Sequence, residues 1–130
     1  MRLLVDTNVF LELLLEQARS AEARQVLEQI EANEFFVSEL RTSFYWDAAV
    51  PPQTAEVFRR FLADVNTSLT MVSLTAKELD RVIDASTAFN LGFDDAYQYT
   101  VASKYNLTIV SFDADFDRTD LGRKQPAALL

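Results

Sequence analysis

The chain has 130 residues, of which 20 are acidic and 12 are basic, so its formal net charge is −8 at pH 7. It contains neither cysteine nor histidine, which excludes a disulfide framework, a thiolate site and a histidine base or zinc ligand. The length and an apolar fraction of 49% are typical of one globular domain with a buried core, and we predict a single domain over 1–130.

Short apolar runs alternate with segments of helical periodicity. The runs are RLLV, FFVS, TMVS and TIVS, at 2–5, 35–38, 70–73 and 108–111. The predicted helices cover about 8–17, 20–32, 39–49, 53–66, 75–90 and 94–105. A capping box at Thr75 and Glu78 opens the fifth helix, and Pro51 and Pro52 separate the third from the fourth. Strands that alternate with helices predict a layered α/β domain with a parallel sheet.

The opening segment MRLLVDTNVFLELLL is apolar but does not have the pattern of a membrane span. It is too short for one, and Asp6, Asn8 and Glu12 interrupt it. It also lacks the order of a secretion signal, which needs an unbroken apolar stretch and a small-residue cleavage site. We therefore expect a cytoplasmic protein with no membrane partner.

Acidic residues recur where the predicted strands end. Asp6 follows the first strand, and Asp113 and Asp115 follow the last. Asp94 and Asp95 open the helix that precedes the last strand. Because ligands of open parallel sheets bind beyond the carboxyl ends of the strands, we expect these acids to converge at one edge. Helix capping and turn formation are the simpler explanations of each acid, although one cap leaves the second acid of the 94–95 pair unexplained.

A cluster of carboxylates favours a bound cation. Carboxylates within a few ångströms repel one another unless a positive ion joins them. Mg²⁺ or Mn²⁺ is the natural partner, because both are hard ions that take oxygen ligands and keep some waters. Such an ion can activate water for an in-line displacement at phosphorus, a reaction that needs no histidine. It would also supply locally the positive charge that a chain of net charge −8 lacks for binding nucleic acid.

Two segments and the pattern between them resemble a known family. LLVDTNVFLELL at the start and FDDAYQYTVASKYNLTIVSFDADF near the end resemble a PIN domain, and the size and final segment are similar to VapC-type toxins of toxin–antitoxin pairs. The resemblance implies a three-layer α/β/α sandwich with a central parallel sheet of four or five short strands. It implies a divalent-metal-dependent endoribonuclease that hydrolyses RNA phosphodiester bonds with Mg²⁺ or Mn²⁺, as the toxin of a type II pair. The implied partners are RNA, a cognate antitoxin protein and a second copy in a homodimer.

The resemblance also implies roles for individual acids. Asp6, Asp95 and Asp113 match the catalytic residues that bind the metal. Asp115 matches an additional metal ligand that the family requires less strictly.

Other residues near these acids take auxiliary or structural roles by the same matching. Asn8 and Ser111 match the polar neighbours of the first and last acids, Asp94 is left as a helix cap, and Asp117 as a surface residue. Tyr97, two residues beyond the helix acid, is the aromatic side chain that we predict to contact the RNA substrate. A structural role in the core is the alternative for it.

One position departs from the family pattern. The family usually places a glutamate about six residues beyond the strand-end serine, and counting from Ser38 gives Phe44. Asp47 and Glu39 are candidates to take its place, and Glu12 is a third. Otherwise the site has three strong acids, with water completing the shell of the ion. The departure supports an alternative function, a catalytically weakened or inactive PIN-like module that binds RNA or a protein partner.

Overall fold

The computed structural model describes residues 1–29, 33–40, 56, 59–60, 63 and 69–130. The strands in this part are β1 (Arg2–Val5), β2 (Glu34–Ser38), β3 (Leu69–Val72) and β4 (Thr108–Val110). The α-helices are α1 (Thr7–Leu14), α2 (Ser20–Leu27), α3 (Leu79–Phe89) and α4 (Phe93–Tyr105). Short 3₁₀ helices span Ala76–Glu78, Ala114–Arg118 and Pro126–Leu129. The predicted helices at 39–49 and 53–66 lie almost wholly outside the described residues.

The four strands form one parallel sheet in the order β3-β2-β1-β4. The register places Leu4 of β1 opposite Phe36 of β2 and Ile109 of β4. Beyond β4, Lys124 makes an isolated parallel bridge with Val110 and extends this edge of the sheet. The predicted α/β class and parallel sheet are confirmed, with the number of described strands inside the predicted range.

β1, β2 and β4 are largely buried on both faces, as the continuous apolar runs predicted, whereas β3 at the edge is exposed at Thr70 and Met71. On one face Leu3 and Val5 pack with Val9 of α1 and with Ala23 and Val26 of α2. Successive strand residues point to opposite sides, so the residues between them belong to a second core. That second core contains Leu4, Phe36 and Ile109, packed with Val82 of α3 and with Ala96 and Val101 of α4. Helices on both faces make the three predicted layers.

Two helices, α1 and α2, end several residues earlier than the sequence predicts. α1 stops at Leu14 instead of residue 17, since the backbone at Glu16 has a φ of 50° and cannot continue a right-handed helix. α3 and α4 end within a residue of the prediction, and each is followed by an asparagine in the left-handed conformation, Asn90 and Asn106. α2 ends at Leu27 and not at residue 32. In the described part of the chain, no helix is both long and apolar enough to cross a bilayer.

The predicted capping box is present where the chain turns into α3. The N–H of Thr75 donates to Glu78 Oε1 at 2.9 Å, and Lys104 Nζ of α4 donates to the same oxygen at 2.7 Å. The Lys104 hydrogen bond, with the backbone and side-chain bonds of Thr75, lowers the pKa of Glu78 to about 2. This carboxylate therefore ties the start of α3 to the end of α4.

A Glu78→Gln variant should be less stable than the wild type at neutral pH and should respond less to acid. Because the pKa of Glu78 falls from 4.5 in its ordinary state to about 2 in the fold, its stabilising effect is complete above pH 4.5 and is lost as the pH falls toward 2. The melting temperatures of the variant and the wild type should thus converge over this range. The exposed Glu34→Gln serves as the control, and a constant difference in melting temperature for Glu78→Gln down to pH 2 would contradict the assignment.

Candidate metal centre

Three neighbouring strands end in a row of buried polar residues. The row consists of Asp6, Ser38 and Ser111. Leu4, Phe36 and Ile109 are opposite one another in the register, and each member of the row lies two positions further along its chain. Side chains two residues apart in an extended segment point to the same face, so the row lies on the side of the sheet that α4 covers. Asp6 is only 2% exposed, and both serines are fully buried.

Ser111 connects the polar groups at this edge. Its Oγ donates to Asp6 Oδ2 at 2.8 Å and accepts from Asn8 Nδ2 at 3.1 Å. The same oxygen accepts the backbone N–H of Asp113 at 2.9 Å. One hydroxyl thereby fixes the orientation of the Asp6 carboxylate relative to the segment that carries Asp113.

Capping does not account for the side chain of Asp6. Asp6 is the N-cap residue of α1, with an extended backbone, but its carboxylate makes no capping hydrogen bond. It accepts the Ser111 hydroxyl instead. Helix capping therefore does not explain the carboxylate of Asp6, although the residue lies at the start of α1 as predicted.

The start of α4 brings Asp95 to the same edge. The helix begins at Phe93, and its N-cap residue is Gly92. The prediction that Asp94 caps this helix is therefore wrong: Asp94 lies in the first turn, where a negative charge interacts favourably with the helix dipole. Asp95, one residue further, is 7% exposed. A buried acid in the first turn that is not the cap is a candidate for chemistry.

Three carboxylates approach one another closely. Asp95, Asp113 and Asp115 each offer an oxygen within 4.8 Å of those of the other two. We call these residues the acidic triplet. Asp113 Oδ1 also accepts the backbone N–H of Asp115 at 2.9 Å, so the turn that joins them is held by one of the acids themselves. Asp6 is not in the triplet but is coupled to it through Ser111.

Two arginines follow the acidic stretch and pair with it, a feature that sequence reasoning missed. Arg118 Nη2 donates to Asp115 Oδ1 at 2.9 Å, and Nη1 donates to the carbonyl of Asn90 at 2.7 Å. Arg123, which is mostly buried, contacts Asp117 Oδ1 at 3.2 Å and donates to the carbonyl of Ser111 at 3.1 Å. Asp117 is exposed, as predicted, but it is also ion-paired. The spacing of three residues between the acid and Arg118 is the signal that could have revealed the first pair.

The candidates for the missing glutamate do not reach the triplet in the described part of the chain. Glu39 is exposed and directly follows β2. Glu12 Oε1 accepts the backbone N–H of Arg19 at 2.7 Å, which gives it a structural role between α1 and α2. Asp47 and Phe44 lie outside the described residues.

Tyr97 belongs to the core between the sheet and α4. Its side chain is 8% exposed, and its hydroxyl accepts the backbone N–H of Leu74 at 2.9 Å. Burial of the ring favours packing over stacking on a base. The contact of Tyr97 with substrate stays a prediction, and the structure offers no support for it.

The chemistry of the site suits a hard divalent cation. Carboxylate oxygens are the ligands that Mg²⁺ and Mn²⁺ prefer, and three of them within 4.8 Å can share one ion. Two of the three acids are half-buried and therefore remain reachable from solvent. Asp115 pairs with Arg118, so an ion that binds this carboxylate competes with a guanidinium.

The protein is an α/β domain with a parallel sheet, and the acidic triplet lies beyond the carboxyl end of that sheet. The family model for the PIN domain matches residues 3–121. The chain belongs to the PIN domain family. The resemblance inferred from the two terminal segments is thus confirmed.

Solved structures share the fold at low sequence identity. The chain is similar to VapBC2 from Rickettsia felis, crystallised with a DNA fragment from their promoter, with a TM-score of 0.78, 14% identity and coverage of 96% of this chain and 98% of that one. For a toxin–antitoxin complex from Klebsiella pneumoniae the TM-score is 0.74, with 18% identity and coverage of 97% and 98%. For PAE2754 from Pyrobaculum aerophilum the TM-score is 0.73 and the identity is 20%, with coverage of 99% of this chain and 92% of that one. No curated protein matches the chain.

Proposed function

We propose that this protein is a divalent-metal-dependent endoribonuclease that hydrolyses RNA phosphodiester bonds. The single observation that carries the proposal is the approach of three carboxylates from α4 and the segment after β4 to within 4.8 Å of one another. Membership of a family whose members are generally nucleases supports it.

The proposed ligands of the ion are Asp6, Asp95, Asp113 and Asp115, and the ion is Mg²⁺ or Mn²⁺. When bound, it would activate a water and stabilise negative charge on the phosphate that is attacked. The residues of the chain hold this chemistry in place: Ser111 orients Asp6, and Asn8 donates to Ser111. Burial of Asp6 and Asp95 keeps bulk water away from their carboxylates, which strengthens their interaction with a cation.

The biological role that we propose is that of the toxin in a type II toxin–antitoxin pair, acting in the cytoplasm. Its partners are RNA as substrate, a cognate antitoxin protein and a second copy of the chain in a homodimer. Structural similarity to proteins from VapBC and another toxin–antitoxin complex supports the antitoxin. We also propose that the chain is one domain, in keeping with a family match over residues 3–121.

A second candidate function is a PIN-like module that binds RNA or a protein without cutting RNA. Phe44 at the position where the family usually has a glutamate favours it. A site that has lost one acid would hold an ion more weakly or leave part of its shell to water.

Cleavage assays separate the two functions. Structured and single-stranded RNA are incubated with the purified protein in Mn²⁺, Mg²⁺ or EDTA, beside Asp6→Ala and Asp95→Ala variants. The nuclease predicts cleavage that requires metal and is lost in both variants. Intact RNA that is retained by the protein would favour the binding module, and cleavage that survives both substitutions would reveal a contaminating nuclease.

Arg118 should weaken metal binding by competing for Asp115. Its guanidinium donates to Asp115 Oδ1 and is anchored at the carbonyl of Asn90, so it stays near the triplet. In Arg118→Gln the carboxylate is released, and the Mn²⁺ dissociation constant should fall about 2- to 5-fold, the scale of an exposed ion pair. Isothermal titration calorimetry measures this directly.

The control for this substitution is Arg81→Gln, which removes one positive charge from the exposed face of α3. It should change the dissociation constant less than Arg118→Gln does, since exposed charges are screened at physiological ionic strength. Unchanged or weaker Mn²⁺ binding by Arg118→Gln would show that Asp115 and Arg118 do not compete with the ion.

A further inference from the structure

Gln98 is a polar residue in the core between the sheet and α4. It is fully buried, with 0% of its surface exposed. Ser38 Oγ donates to Gln98 Oε1 at 2.7 Å. The other amide atom, Nε2, is also buried, and no described residue offers it a hydrogen-bond partner. A buried amide group that is left unpaired costs folding free energy, and a bound ion is one of the explanations for such a group.

The amide is related to two residues of the proposed metal centre, to Asp95 by helix spacing and to Asp6 through Ser38. Asp95 is three residues earlier on the same helix, a spacing that puts both side chains on one face. Ser38, which binds the amide, ends β2 beside the end of β1, where Asp6 follows. Gln98 therefore shares a helix face with Asp95 and is hydrogen-bonded to Ser38, the neighbour of Asp6 at the edge of the sheet.

In either orientation of the amide, Ser38 binds one of its two polar atoms and the other has no hydrogen-bond partner. An amide can rotate by 180°, so that Nε2 donates to the Ser38 hydroxyl and Oε1 takes the unpaired position. In that orientation the unpaired atom is a neutral oxygen acceptor. Carboxamide oxygens are among the ligands that hard divalent cations accept.

We infer that Gln98 is part of the metal centre and supplies it with a neutral oxygen donor. The sequence has Phe44 at the position where the family usually has a glutamate. The inference rests on the proposed function, because it concerns the same ion. Ser38 acts as a positioning residue, since its hydroxyl can donate to or accept from either amide atom and so permits the rotation. A carboxamide adds no charge, which leaves the acids to balance the charge of the ion.

The test compares stability and Mn²⁺ affinity in Gln98→Leu. A leucine fills a similar volume and removes the unpaired amide, but it also takes the acceptor from the buried Ser38 hydroxyl. These effects oppose one another, so the melting temperature without metal should change by only a few degrees. The Mn²⁺ dissociation constant should rise about 10-fold or more, the effect of losing a group that supports a metal site. Calorimetry and melting curves with and without Mn²⁺ give both values without any RNA.

Gln98→Glu provides a second variant with the opposite expectation. The carboxylate adds an unpaired negative charge to the buried site, so the metal-free protein should melt at a lower temperature. Mn²⁺ should bind this variant more tightly than the wild type and restore its melting temperature. Thr100→Val is the matched control, because Thr100 is buried on the same helix and its hydroxyl bonds to Ala96 within that helix.

The outcomes distinguish this inference from the proposed function. If the wild type binds Mn²⁺ and both Gln98 variants bind it with the same affinity, the inference is overturned and the proposed function stands. If Gln98→Leu lowers the melting temperature and leaves the affinity unchanged, Gln98 is structural only. If the wild type binds no Mn²⁺, both the proposed function and the inference are overturned.

Discussion

Asp113→Asn should reduce metal-dependent RNA cleavage by about 10²- to 10³-fold, because a metal ion contributes several kcal/mol of charge stabilisation and each 1.4 kcal/mol is a tenfold change in rate. The fold should survive the substitution. Asp113 Oδ1 accepts the N–H of Asp115, and the carbonyl oxygen of an asparagine can accept the same bond. The variant therefore removes the charge that the ion needs and keeps the turn that the structure needs.

Asp84→Asn is the control for this loss of charge. Asp84 is exposed on α3 and is outside the acidic triplet. The Asp84→Asn protein should cleave RNA at the wild-type rate. Both Asp84→Asn and Asp113→Asn should melt within a few degrees of the wild type. If Asp113→Asn cuts RNA as fast as Asp84→Asn in the same Mn²⁺ concentration, Asp113 is not a ligand of the ion.

Ser111→Ala should lower both stability and Mn²⁺ affinity. The substitution removes a donor to buried Asp6 and an acceptor for Asn8 and for the N–H of Asp113. Leaving buried polar groups without partners costs about 1–3 kcal/mol in the free energy of unfolding. Because Ser111 orients a proposed ligand, affinity for Mn²⁺ should fall about 10- to 100-fold. Chemical denaturation and calorimetry measure the two effects separately.

Ser86→Ala separates a local structural loss from a loss at the metal centre. Ser86 Oγ donates to the carbonyl of Leu91 at 2.6 Å, next to the turn between α3 and α4. Ser86→Ala therefore also removes a serine hydroxyl and its hydrogen bond. This control should lose about 1 kcal/mol of stability and keep its Mn²⁺ affinity. A Ser111→Ala protein that loses stability alone, like the control, would argue against a role of Ser111 in orienting Asp6.

The strands and the edge of the sheet were predictable because both follow from short-range patterns. Continuous apolar runs flanked by helical periodicity predict parallel strands buried on both faces, and all four runs form parallel strands to within a residue. The burial prediction is wrong for β3, which is the edge strand and is exposed at Thr70 and Met71. The position of Asp6 directly after β1 then follows from the sheet alone, since ligand groups collect at the carboxyl ends. The approach of Asp95 to Asp113 and Asp115 follows by the same rule.

Capping residues were predicted less well than helix starts, because several residues compete for the same position. Asp94 has good capping chemistry, but the chain places Gly92 at the N-cap. The side chain of Asp6 has the same chemistry and bonds to Ser111 in place of the helix backbone. Capping propensity describes what a residue can do next to a helix, whereas the tertiary neighbours decide what it does.

The contacts within the site required the three-dimensional register. Ser111 meets Asp6 only because β4 is the neighbour of β1, and 105 residues separate them in the chain. The pairing of Gln98 with Ser38 likewise joins residues 60 positions apart. Burial was equally hard to foresee for Tyr97, since an aromatic ring suits both a core and a stacked base. Its hydroxyl bond to Leu74 is set by packing.

RNA cleavage and Mn²⁺ binding should be measured on the same preparation, for the wild type and Asp95→Asn. Cleavage should stop in EDTA, return when Mn²⁺ is added, and reach half its maximum near the Mn²⁺ dissociation constant found by calorimetry. Asp95→Asn should lose both binding and cleavage. Cleavage that persists in EDTA, or that is unchanged in an Asp95→Asn protein that no longer binds Mn²⁺, would contradict a nuclease centre built on the acidic triplet.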